Sequence, residues 1–211
     1  MEFWNDQATD KSWNALIELS KKYEFILIGG WACYLHTGTI KSQVVDIIVE
    51  FETLNKLKKE FLVKKNDILK KYEIIFNEIS VDIYVPYYSE FIIPFECIIK
   101  NTMKIQGITV PNPEIILILK QQAELERKNS VKGQKDRVDI LNLLIESTID
   151  MKKYLLLVKE YDLMEYMKRL ETIIQTSQNE FEYLGMENLR RIKLLKKKLM
   201  KTLTSAKLEV F

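Results

Sequence analysis

Four apolar residues, Phe25-Ile26-Leu27-Ile28, run straight into Gly29-Gly30. A run this short and wholly apolar suits a buried strand. Paired glycines behind it suit a tight turn into a helix, because a residue without a Cβ lets the backbone bend freely and lets an anion approach the amides. Residues 31–36 then read as the start of that helix. The next apolar segment, residues 44–51, reads as a second strand, with Val45, Ile47 and Val49 on one face and Val44, Asp46 and Ile48 on the other. A strand, a turn into a helix and a second strand within so short a stretch commit the chain to a layered α/β arrangement.

The remaining pattern fills in that arrangement. Residues 10–23 predict an amphipathic helix with Trp13, Leu16, Ile17 and the stem of Ser20 inward. A lysine-rich helix after the second strand has Leu54, Leu57, Phe61 and Leu62 as its inner face. Residues 73–77 and 80–85 predict strands joined by a polar turn at Glu78, the second ended by Pro86 or left at a sheet edge. Residues 94–100 suit a short helix. Residues 102–105 and 108–110 flank Gln106-Gly107, a hairpin signal. At Pro111-Asn112-Pro113 the pattern changes: Asn112 can cap and Pro113 suits a first helical position. Helices are predicted over residues 113–128, 132–147, 150–161, 163–176 and 186–205. The chain of 211 residues therefore reads as an α+β domain over residues 1–110 and a helical domain over residues 111–211.

The chemistry points to a few side chains. Asp46 lies between Val45 and Ile47, and Asp82 between Val81 and Ile83. An ionised carboxylate amid an apolar strand is unfavourable unless it is paired or bound to a metal. Either lysine partners or a cation could answer that need. The glycine pair is neither a G-x-G-x-x-G fingerprint nor a Walker A loop, so a Rossmann dinucleotide site and a P-loop are disfavoured.

The order apolar strand, Gly29-Gly30, helix, Asp46 on the next strand and Asp82 on a later one resembles the nucleotidyltransferase superfamily. Within it the chain is similar to the AbiEii-like proteins of type IV toxin–antitoxin systems. Lys120-x(6)-Arg127 followed by Lys135-Asp136-Arg137-Val138-Asp139-Ile140 strengthens the likeness, which spans residues 25–144. The resemblance implies a mixed β-sheet with flanking helices and a C-terminal helical bundle. It also implies Mg²⁺- or Mn²⁺-dependent transfer of a nucleoside monophosphate from an NTP to a hydroxyl of RNA, such as tRNA, or of protein. It gives Asp46 and Asp82 the catalytic and metal-binding role, and Gly29, Gly30, Lys120 and Lys135 the nucleotide, and it brings a cognate antitoxin into view. One departure matters. The family pattern has two carboxylates, two residues apart, on the second strand. Here Asp46 stands alone, and either Val44 or Ile48 takes the other place. Ser42 before the site and the apolar Ile47-Ile48-Val49 after it favour Val44. Loss of that acid implies slow chemistry, or a nucleotide-binding or interaction protein that kept the fold without the activity.

Other features are weaker. The single histidine, His36, has too few partners for a catalytic triad or a histidine-based zinc site and reads as structural or as part of the pocket rim rather than catalytic. Tyr84, Tyr87 and Tyr88 suit base stacking or loop packing equally. The last helix pairs a Leu189, Ile192, Leu195, Leu199, Leu203 packing face with Arg190, Arg191, Lys193, Lys196, Lys197, Lys198 and Lys201, which suits solvent, RNA phosphate or an acidic protein. A net charge of +2 argues for no partner by itself. Residues 129–135 read as a polar, flexible linker. Cys33 and Cys97 predict reduced, buried thiols in a cytoplasmic protein. No apolar run approaches the ~20 residues of a membrane span, and the first six residues lack the basic start and apolar centre of a signal peptide.

Overall fold

The structure, a computed structural model, describes residues 6–127 and 130–211. Met1–Asn5, the predicted helix end at Lys128 and the linker residue Asn129 lie outside the described residues. Contacts divide the chain into two compact units that part between Asn112 and Pro113. The first is α+β and the second is helical.

The first unit begins with α1 (Asp6–Lys22), β1 (Ile26–Ile28), α2 (Gly29–Thr37) and β2 (Val45–Ile48). It continues with α3 (Phe51–Glu60), β3 (Lys64–Asn66), β4 (Lys71–Phe76), β5 (Ile79–Tyr84) and α4 (Phe95–Lys100), and closes with the hairpin β6 (Thr102–Ile105) and β7 (Ile108–Pro111). Five strands form one sheet in the order β1-β2-β5-β4-β3. Only β2 and β5 pair in parallel; the other neighbours are antiparallel. One sheet face carries Val45, Ile47, Ile74, Val81 and Ile83, all buried. Burial of side chains of this size stabilises by roughly 1.5–3 kcal/mol each.

Several expectations shift. The inward face of α1 is Thr9, Ser12, Ala15, Leu16 and Leu19, while Trp13, Ile17 and Ser20 are half-buried. Ser12 is drawn inside because its hydroxyl accepts from the Trp31 indole N–H at 2.9 Å. Helix α3 stops at Glu60, so Leu62 no longer follows the helical period and is 83% exposed. Strand β3 was not foreseen, since Lys64-Lys65-Asn66 has no apolar alternation; it is an edge strand held by backbone pairing to β4. Strand β2 starts at Val45. Val44 sits in the bend before it, where the Ser42 hydroxyl donates to the Val44 carbonyl at 3.2 Å. At the β6–β7 turn Gln106 and Gly107 both have positive φ, 51° and 82°, as a two-residue hairpin turn requires.

The second unit holds α5 (Pro113–Arg127), α6 (Val131–Glu146), α7 (Met151–Glu160), α8 (Met164–Thr176), the short α9 (Asn179–Tyr183) and α10 (Leu189–Val210). Helix α9 was not predicted. The expected linker is largely the first turn of α6: the Ser130 hydroxyl caps it by accepting from the Gly133 N–H at 3.1 Å. On α10 the buried face is Ile192, Leu203, Ala206 and Val210, with Leu195 and Leu199 half-buried and Leu189 exposed at its first position. No described helix is long and apolar enough to cross a membrane.

Candidate functional site

The sheet face opposite the apolar one carries acids. Asp46 on β2 is in register with Asp82 on β5, and Asp82 is in register with Glu73 on β4. Because register partners point the same way, three carboxylates form one row across adjacent strands. Asp46 and Asp82 are the two acids the sequence singled out, and the parallel pairing brings them side by side.

Gly29 completes this end of the site. Register partner of Asp46 is Ile28, so the turn into α2 falls beside the carboxylate. Gly29 has φ +69°, and a Cβ built on it would lie 2.2 Å from Asp46 Oδ2. Glycine is thus required here by Asp46 and by the backbone conformation. Gly30 follows in the first turn of α2, a turn without a side-chain cap from Ile28. The Asp46 carboxylate lies against this helix start, where the helix dipole favours an anion. Helix α2 is fixed by Trp31, whose ring meets Trp13 and Tyr34, and by a 2.8 Å hydrogen bond between His36 Nε2 and the Pro111 carbonyl. His36 is therefore structural. Cys33 and Cys97 are buried and not joined in a disulfide.

Asp82 has the lysine partner that the sequence left open as the alternative to a cation, and it comes from the start of β4. Lys71 Nζ lies 2.5 Å from Asp82 Oδ2 and 3.1 Å from Glu73 Oε1. The Asn66 amide also donates to Glu73 Oε1, at 3.1 Å. Burial alone would lower the Lys71 ammonium; Asp82 and Glu73 outweigh it and raise it above its ordinary value. Asn66 and Lys71 together hold Glu73 below the usual carboxylate range. Lys71 and Glu73 acquire their place only through the observed turn. Asn77 and Glu78 both have positive φ, marking a two-residue turn, and stepping back from Phe76 opposite Ile79 sets Glu73 opposite Asp82.

Tyrosines after β5 are spread out. Tyr84 packs on Phe91, Tyr87 is 93% exposed beside Phe51, and the Tyr88 hydroxyl donates to the Asn66 carbonyl. A cavity of about 390 Å³ in this unit is lined by Phe25, Ile26, Ile48 and Val49, at the far end of β1 and β2 from Asp46.

Lys120 and Lys135 belong to the second unit. Asp139, fully buried, receives Lys120 at 2.7 Å and Lys135 at 3.0 Å. Asp136 receives Lys120 at 3.2 Å and Arg127 at 2.8 Å. Burial pushes the Asp139 carboxyl up, but Lys120 and Lys135 prevail and hold it below its ordinary value. Glu124, on the face shared by Lys120 and Arg127, pairs instead with Arg169. On α10, Lys196 is set apart from the other basic residues: its ammonium donates to the Gln175 carbonyl and lies over the Phe181 ring.

No protein-family model matches the sequence, and no curated protein matches it. Solved structures do. The crystal structure of JHP933 from Helicobacter pylori is similar over 98% of this chain and 97% of that one, at TM-score 0.50 and 16% identity. A candidate nucleotidyltransferase from H. pylori is similar over 98% of this chain and 96% of that one, at 0.45 and 16%. An antigenic nucleotidyltransferase-like protein from Paracoccidioides brasiliensis is similar over 76% of this chain and 91% of that one, at 0.40 and 18%. The last two likenesses are too distant to argue from. The mixed α+β fold with a helical C-terminal half is shared with JHP933 along nearly the full length of both chains.

Proposed function

We propose that this chain is a nucleotidyltransferase-fold protein that binds an NTP beside Gly29-Gly30 and transfers its nucleoside monophosphate to a hydroxyl of RNA or protein. The observation that carries the reading is the register of Asp46 with Asp82, with Asp46 seated on the Gly29 turn. Packing alone does not call for two acids on neighbouring inner strands.

The donor set fits one Mg²⁺ of the kind held by one or two carboxylates together with substrate phosphates and water. Among the described residues no group of three or more acidic, His or Cys side chains forms a cluster able to hold a metal by itself. Asp46 is the residue that would hold the ion, with Asp82, already paired with Lys71, beside it, and the ion would supply charge neutralisation on the triphosphate. In the transfer, the acceptor oxygen bonds to the α-phosphorus, pyrophosphate leaves with the electrons of the broken P–O bond, and the hydroxyl proton passes to Asp82. The Gly29-Gly30 amides orient the phosphates.

Val44 stands where the resemblance has an acid. One missing carboxylate that raised the barrier by ~3–4 kcal/mol would slow transfer 10²–10³-fold. A second reading, a nucleotide-binding protein without transfer, is favoured by the Lys71 ammonium already seated on Asp82. Thermal shift with each NTP, with and without Mg²⁺, tests binding; transfer of label from α-labelled NTP to total RNA or protein tests chemistry. Failure of every NTP to shift the transition overturns both readings. The finer form of the proposal is a toxin-like role with a cognate antitoxin: expression in a bacterial host then slows growth, and normal growth overturns it.

A further inference from the structure

The acid row is not electrically open. Asp82 and Glu73 are direct cross-strand neighbours, a pairing of like charges that is unfavourable by itself. Lys71, two residues before Glu73 on the same face of β4, places one ammonium between them at 2.5 and 3.1 Å. The lysine side chain is 11% exposed and that of Asp82 13%. A lysine this enclosed, bonded to two carboxylates, is a fixed counter-ion rather than a swinging surface charge. Its position is set by backbone pairing through the two-residue turn at Asn77-Glu78, not by a flexible loop. Leaving would abandon two adjacent anions at once.

We infer that Lys71 is the site's own second cation, standing at Asp82 where a second divalent ion would otherwise bind, so that the site takes at most one metal, on the Asp46 side. A divalent ion ligated by Asp82 would sit ~2.0–2.1 Å from its oxygens. The ion would have to share that single carboxylate with an ammonium already bonded to it, so Asp82 offers it little net negative charge. With Val44 contributing no anion and Lys71 contributing a cation, the row at β2 and β5 carries less negative charge than a two-metal site needs. The inference rests on the nucleotide-binding reading above, but the lysine's effect on metal affinity can be measured without nucleotide.

The test is Mn²⁺ binding followed by electron paramagnetic resonance, on wild type, Lys71→Met and Lys71→Arg, each with and without a non-hydrolysable NTP. Wild type is expected to bind one Mn²⁺ with nucleotide and to bind it only weakly alone. Lys71→Met is expected to tighten Mn²⁺ binding alone by at least tenfold and to reach two ions with nucleotide. Lys71→Arg, which keeps the charge, is expected to match wild type. Adding Asp82→Asn to Lys71→Met is expected to abolish the gain. Lys71→Gln carries the same expectation where Lys71→Met fails to fold. Two Mn²⁺ ions on wild type, or equal affinity in wild type and Lys71→Met, overturns the inference. If Lys71→Met gains Mn²⁺ while no variant binds nucleotide, the role of Lys71 stands and the nucleotide reading falls.

Discussion

Gly29 and Asp46 occupy one volume that has room for a single side chain: a Cβ on Gly29 would fall 2.2 Å from Asp46 Oδ2 and 2.9 Å from Asp46 Cβ. Gly29→Ala must therefore bear both the positive-φ strain and the collision. We expect it to destabilise by about 2–4 kcal/mol, falling to ~1 kcal/mol in an Asp46→Gly background where only the backbone strain remains. Denaturant unfolding of the four-member cycle measures this. A cost of Gly29→Ala that is the same in both backgrounds contradicts the shared-volume account.

Val44 lies in the bend leading into β2, held by Ser42. If the site is otherwise intact, Val44→Asp restores a carboxylate near Asp46, and label transfer from α-labelled NTP is expected to rise at least tenfold, about 1.4 kcal/mol of barrier. Unchanged transfer with intact folding points to the non-catalytic reading.

The buried group Asp139, between Lys120 and Lys135, ties stability to pH. Its carboxyl is held below the ordinary value. The unfolded chain therefore takes up that proton first as pH falls. The stabilisation is complete above the unfolded value near 3.9 and is lost as pH drops through the lower folded value. Asp139→Asn leaves two lysines short of an anion and is expected to cost about 3–5 kcal/mol near neutrality. Its stability should also decline less steeply than wild type below about pH 4. Parallel acid titrations of the two proteins would sink the assignment.

The exposed face of α10 carries Arg190, Arg191, Lys193, Lys197, Lys198 and Lys201. If RNA is the acceptor and uses this face, Lys197→Glu with Lys198→Glu is expected to weaken RNA binding without lowering the melting temperature. The dependence of log affinity on log salt should flatten by roughly 0.7 for each lost single-strand phosphate contact. Lys196→Glu is expected to lower the melting temperature instead, because Lys196 is bound to the Gln175 carbonyl and Phe181. A salt-independent affinity in wild type removes RNA from consideration on this face.

How much of this was legible depended on the kind of signal. Strands β1, β2 and β5 announced themselves as apolar runs, and the β6–β7 turn by Gln106-Gly107, because burial and positive φ each restrict residue choice strongly. Asp46 and Asp82 stood out for the opposite reason, as charges where apolar residues belong. The face of α1 was misjudged because a hydrogen bond to Trp31, not hydrophobicity, brings Ser12 inside. Strand β3 left no trace because an edge strand needs only its backbone. Lys71 and Glu73 were hidden because ordinary charged residues take on meaning only once the register is known.

The connectivity of the sheet also sets a timetable. Strands β4 and β5 are joined by two residues, so Lys71 can meet Asp82 as soon as a local hairpin closes, on a scale of ~1–10 μs. Asp46 reaches Asp82 only through a parallel pairing that must span α3, β3 and β4, a slower search. Local closure of this hairpin is therefore expected to seat the ammonium on its aspartate before the parallel pairing brings in the second acid, so that the charge balance of the row is set by the hairpin.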